Sequence, residues 1–128
     1  MAKVTGLGGI FFKCIDVEQT RAWYVKNLGI QAESWGAIFN WSDDPHPAPM
    51  SLISFFKQHT EHFSPSEQPF MINLRVDDLD ALVAQLRASG IPLAGDPLND
   101  ETFGKFAWLI DPNGIKVELW QQPETVDG

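Results

Sequence analysis

One cysteine, nine basic residues and no long apolar run set the first limits on this 128-residue chain. Cys14 has no second cysteine to pair with, so an intrachain disulfide framework is excluded and a reducing compartment is expected. Nine Lys and Arg face 17 Asp and Glu, a formal net charge of −8. Binding to nucleic acid or to an anionic membrane draws on a basic patch that releases counterions, and neither partner is expected here. No signal peptide or membrane span is legible, because the apolar stretches are far too short. The chain reads as a cytoplasmic protein.

Aromatic residues are what the chain has in quantity. Five Trp and nine Phe are many for this length, and such side chains belong in a core, an interface or a pocket. The length suits one domain, or two small repeats sharing a core.

The repeat is legible. In Pro69 to Pro92, PFMINLRVDDLDALVAQLRASGIP, Met71 to Val76 alternates as a half-buried strand does, with Ile72, Leu74 and Val76 on the apolar face. Asp77 and Asp78 offer an N-cap and an acidic first turn. Leu79, Leu82, Val83 and Leu86 follow at helical spacing. Gly90 ends the helix and Pro92 prevents its resumption. The same order of strand, Asp, helix, Gly and Ile occurs over residues 9–30, with Asp16 falling on Asp78 and Val17 on Leu79. Such self-similarity marks an internal duplication.

Along the chain, residues 9–15 read as a strand and Glu18 to Leu28 as a helix with Ala22, Trp23, Tyr24 and Leu28 on its buried stripe. Residues 31–35, 37–41 and 50–57 read as further strands. The proline-rich stretch SDDPHPAP (42–49) reads as a loop, and residues 58–68 as a polar linker. In the second half a short strand is expected over 92–96 and a loop over 97–104. A hairpin then turns at Asp111-Pro112-Asn113-Gly114 between strands 105–110 and 115–120. Each half is thus βαβββ: residues 8–57 form a first module and 69–121 a second, within a single domain spanning 1–128. The fold class is α+β. Neither module is large enough to stand comfortably alone, so the two sheets are expected to combine.

The stretches FFKCIDVEQTRAWYVKNLGI, INLRVDDLDALVAQLRASGI and FAWLIDPNGIKVELW resemble the vicinal oxygen chelate superfamily, the glyoxalase, bleomycin-resistance and extradiol-dioxygenase group. The turn DPNG followed by a strand ending in Glu-Leu is the most specific piece. That resemblance implies paired βαβββ modules forming a curled mixed sheet around a cleft, usually as a homodimer. It also implies metal ligands at four equivalent strand positions, normally His, Glu or Gln. Here those positions carry Gly9, Ser54, Met71 and Glu118. A catalytic divalent site takes about three protein ligands, and Met is a soft donor suited to copper(I). The metal chemistry implied by the resemblance is therefore not expected. No cofactor is expected, with a divalent metal left open.

Strand alternation places Phe11 and Lys13, Met71, Asn73 and Arg75, and Lys116, Glu118 and Trp120 on the cleft side. Lys13 or Arg75 would orient an anionic or polar group, against the plain alternative of solvated strand ends. Glu118, between apolar Val117 and Leu119, would act as a general base or as half of a structural ion pair. Phe39, Trp41, Phe103, Trp108 and Trp120 would wall a small-molecule pocket, or simply pack the core. His59 and His62 are three apart but lie in the polar linker, where solvation is the simpler reading. The leading reading is a metal-independent binder of a small aromatic or amphipathic molecule. The alternatives are an enzyme of lyase, isomerase or dioxygenase type using Glu118, and a structural or regulatory module with a filled cleft.

Overall fold

Two aspartates start two helices at the positions the repeat predicts. The computed structural model describes residues 2–124. Asp16 caps α1 (Val17–Leu28) by accepting from the Gln19 amide, and Asp78 caps α2 (Leu79–Ala88) by accepting from the Ala81 amide, each at 3.1 Å. Each bond satisfies one of the donors that a helix N-terminus leaves unpaired. Gly29 and Gly90 follow with φ of 69° and 74°, the left-handed stop that a side chain would resist. On α2 the buried residues are Leu79, Val83 and Leu86. On α1 they are Thr20 and Tyr24, with Trp23 and Leu28 partly buried. Ala22 is exposed, one residue away from the stripe expected for it, because α1 packs through Thr20 instead.

The sheet is mixed and four-stranded, in the order β1-β4-β3-β2. Its strands are β1 (Ile72–Arg75), β2 (Leu98–Asp100), β3 (Gly104–Ile110) and β4 (Lys116–Gln121). β1 runs parallel to β4, and the β3–β4 and β2–β3 pairs are antiparallel. The strand expected at 92–96 is displaced to 98–100. Pro92 has no amide proton to give a ladder, and only the Ala94 amide reaches across, to the Trp108 carbonyl at 2.7 Å. One face of the sheet supplies the core: Ala107, Leu109, Val117 and Leu119 are buried against Tyr24, Leu79, Val83 and Leu86.

The DPNG turn does more than reverse the chain. Buried Asp111 accepts from the Asn113 and Ile115 amides at Oδ1 (2.7 and 3.0 Å) and from the Tyr24 hydroxyl at Oδ2 (2.7 Å). Asn113 accepts from the Ile15 amide (2.8 Å) and donates to Thr20 Oγ1 (3.0 Å). The turn of the second half thereby docks the helix of the first. Burial pushes the Tyr24 phenol well above its ordinary range, and the hydrogen bond to Asp111 adds to the shift.

In the first half, the stretches read as strands (9–15, 31–35, 37–41 and 50–57) carry no ladder among the described residues, where one isolated bridge joins Glu33 and Gly36. Alternation shows which side chains suit a half-buried face. It does not supply a partner edge, and these stretches lack the local hairpin that gives β3 and β4 theirs. Several of their apolar residues stay exposed, Phe11 at 96% and Phe55 at 89%. No helix among the described residues is long and apolar enough to cross a membrane.

Candidate functional site

The second face of the sheet gathers most of the polar and aromatic candidates of the second half. Register sets Asn73 and Trp108 directly opposite Glu118 on its two sides, and Phe106 opposite Trp120. Residues opposite one another share a face, so the alternation that buries Val117 and Leu119 sends Lys116, Glu118 and Trp120 to the other side with Asn73, Arg75, Phe106 and Trp108.

Glu118 is the centre of this face. Its side chain is 12% exposed, and three donors hold it. Asn73 Nδ2 reaches Oε1 at 2.7 Å, while Trp108 Nε1 at 2.7 Å and His62 Nε2 at 3.3 Å both reach Oε2. A carboxylate placed out of water requires such partners. Beside it, the rings of Trp108 and Trp120 each lie 6.3 Å from Phe106, at 9° and 10° to its plane. Trp120 Nε1 is tied to the Phe103 carbonyl at 2.7 Å, which fixes the end of this ladder of near-parallel rings.

Lys116 is buried two residues from Glu118. Its ammonium donates to the His62 carbonyl at 2.6 Å and lies 5.6 Å from the centre of the Trp108 ring. Burial pushes its pKa down, and the charge of Glu118 partly opposes that.

The other cleft-side candidates divide. Arg75 does not point at a free site: it forms an ion pair with both carboxylate oxygens of Asp44 in the proline-rich loop and reaches Gln122 at 3.5 Å. Burial raises the Asp44 carboxyl, but the Arg75 contact and the His46 amide outweigh it and hold the group below its ordinary value. His46 clamps the same loop, its Nε2 lying 2.7 Å from the Pro123 carbonyl while Nδ1 accepts from the Ala48 amide. Phe11, Lys13, Phe39, Trp41 and Phe103 are exposed, and Met71 is partly buried. None of these side chains joins the ring ladder or the Glu118 network. Gly9 and Ser54 are exposed as well.

His62 is exposed, as its place in the polar linker predicts, but the structure gives its side chain partners that the composition did not announce. The linker folds back over β4, held by Lys116 on the His62 carbonyl and by Ser66 Oγ on the Gly114 carbonyl at 2.5 Å. The imidazole stacks on Phe56 (5.4 Å, 5°) and meets Trp108 edge-on (6.2 Å, 89°). Adjacent Phe63 in an otherwise polar stretch was the available signal, since an aromatic there needs cover. His59 remains exposed. No group of three or more His, Cys, Asp or Glu side chains that could hold a metal occurs among the described residues. Glu118 and His62 make two.

No protein-family model matches this sequence, and no curated protein matches it. Solved structures do. An integron cassette protein from the mobile metagenome of V. cholerae matches 94% of this chain and 98% of its own, at TM-score 0.59 and 16% identity. A glyoxalase/dioxygenase from Nostoc punctiforme matches 97% of this chain and 99% of its own, at 0.52 and 18%. TnmS3, an antibiotic binding protein from Streptomyces sp. CB03234, matches 84% of this chain and 88% of its own, at 0.50 and 26%.

Proposed function

We propose, for a chain with the fold of the glyoxalase and dioxygenase proteins, that the Glu118 face of the sheet binds a small planar aromatic or amphipathic molecule without a catalytic metal. One observation carries this reading: a carboxylate pinned by three donors beside three near-parallel aromatic rings. Aromatic walls with a few oriented polar groups are the usual makeup of a small-molecule site. The similarity to TnmS3, whose name describes antibiotic binding, supports the same reading. The donor set supports it too. Gly9 offers no side chain, Ser54 lies in the exposed part of the first half, Met71 is a soft donor, and a catalytic divalent site takes about three ligands.

In this reading Glu118 orients a ligand and Trp108 does two jobs, donating to Glu118 and offering a ring face. The exposed Phe11 and Phe55 fit pairing of two copies, so the binder is proposed to work as a homodimer. The carboxylate–imidazole contact between Glu118 and His62 favours one second reading, an enzyme in which that pair moves a proton.

Intrinsic tryptophan fluorescence, titrated with a panel of planar aromatic compounds, tests the proposal. Saturable quenching by at least one compound is expected. Trp108→Ala should weaken it roughly two- to tenfold, the worth of one stacked aromatic pair. A panel without any saturable response overturns the binding reading. Glu118→Gln should change affinity alone; loss of a measurable turnover in that variant would favour the enzyme.

A further inference from the structure

We propose that His62 is a built-in occupant of the Glu118 site, and that the external ligand which replaces it is a planar heteroaromatic bearing a ring N–H and an oxygen acceptor. This rests on the binding reading above and specifies its ligand. The imidazole does what such a ligand would do. Its flat ring lies face to face with Phe56 and edge-on to Trp108, and its ring nitrogen meets the Glu118 carboxylate. The oxygen acceptor comes from the same residue, as the backbone carbonyl on Lys116.

Both polar anchors have capacity to spare. The His62 contact to Glu118 is 3.3 Å long, against 2.7 Å for the two other donors on that carboxylate. Glu118 thus has room for a closer donor. Lys116 is 7% exposed, and an ammonium has three N–H donors. One of them reaches the His62 carbonyl, and no carboxylate forms an ion pair with Lys116 among the described residues. A carbonyl or carboxylate oxygen on the ligand would answer it better than a neutral amide. Strand geometry puts the two anchors two residues apart on one face, about 7 Å along β4, a span a substituted bicyclic ring covers.

The occupant is also placed to leave. The His62 side chain is 39% exposed against 12% for Glu118, so it covers the carboxylate from the solvent side. Phe56, its stacking partner, belongs to a stretch without ladder hydrogen bonds. An occupant of this kind lowers apparent affinity by the fraction of molecules in which the site is open.

Calorimetric titration of the full chain and of His62→Ala with three probes tests this: indole-3-carboxylate, its N-methyl derivative and indole. His62→Ala should bind indole-3-carboxylate about tenfold tighter than the parent, through removal of the competing occupant. Blocking the N–H, or omitting the carboxylate, should each cost about tenfold, the loss of one hydrogen bond to a charged group. If His62→Ala fails to fold, His62→Gln, which keeps a donor but no ring, carries the comparison and should still bind more tightly than the parent. Equal affinity of parent and variant for a probe that both bind overturns the occupant and leaves the binding reading standing. Equal affinity for all three probes overturns the ligand chemistry alone. Failure of every probe on both proteins overturns the inference, while the binding reading stands or falls on the wider panel of planar aromatic compounds.

Discussion

Tyr24 and Asp111 show how much one side chain can decide. Removing the hydroxyl leaves Asp111 buried with two backbone donors in place of three partners. Tyr24→Phe should therefore cost about 1–3 kcal/mol, the price of an under-satisfied buried acceptor, read as the shift of a urea midpoint at neutral pH. The phenol's folded pKa is raised, so the unfolded chain loses that proton first as pH climbs past about 10. The contribution of Tyr24 is complete below that point and fades above it, and the alkaline fall in stability should be shallower in Tyr24→Phe. Lys116, whose pKa is lowered, acts in the opposite sense below its ordinary value, but it does so in both proteins and cancels from their difference. Glu118 was legible as a residue because an acid between Val117 and Leu119 must face away from the core. The partners of Arg75 and Glu118 were not: Asp44 and His62 sit in segments whose polar composition fits solvation as well as it fits a site.

At the scale of elements, the β3–β4 hairpin is closed tightly at its open end. Gly104 has φ of 103°, and a Cβ there would overlap the Gln121 carbonyl oxygen. Gly104→Ala should cost about 3 kcal/mol or more, since strain at a disfavoured φ adds to a clash with backbone. Gly29 is the control: its φ is 69°, but a Cβ there would meet no atom within 4 Å, so Gly29→Ala should cost only about 1–2 kcal/mol. The ratio of the two urea midpoint shifts checks the argument. This hairpin, β1 and both helices were readable because their signals are local: a strand alternation, an N-cap aspartate, a helical stripe, a stop glycine and DPNG. The strand reading over residues 92–96 gave way to β2 because two prolines, Pro92 and Pro97, bracket that stretch. The first-half strand readings had alternation and nothing nearby to pair with.

Over the whole molecule, hydrogen bonding is unevenly distributed, and hydrogen exchange should report it. Amides of β3 and β4 should be protected most strongly. Those of 9–15, 37–41 and 50–57, which have no ladder, should exchange orders of magnitude faster, as weakly bonded segments do. Uniform protection across both halves would contradict this division. One feature, the docking of α1 by the DPNG turn, bears on the order in which the chain acquires its shape. The Tyr24–Asp111 and Ile15–Asn113 bonds join residues 87 and 98 apart. Closing so long a loop costs only about 2 kcal/mol more than closing a ten-residue one, so distance is little burden at equilibrium. It matters during synthesis. The first helix leaves the ribosome some ninety residues before the aspartate and asparagine that receive it. Until they emerge, Trp23, Tyr24 and Leu28 have no place in the core, and a nascent chain of this protein depends on its surroundings to keep them from wrong partners.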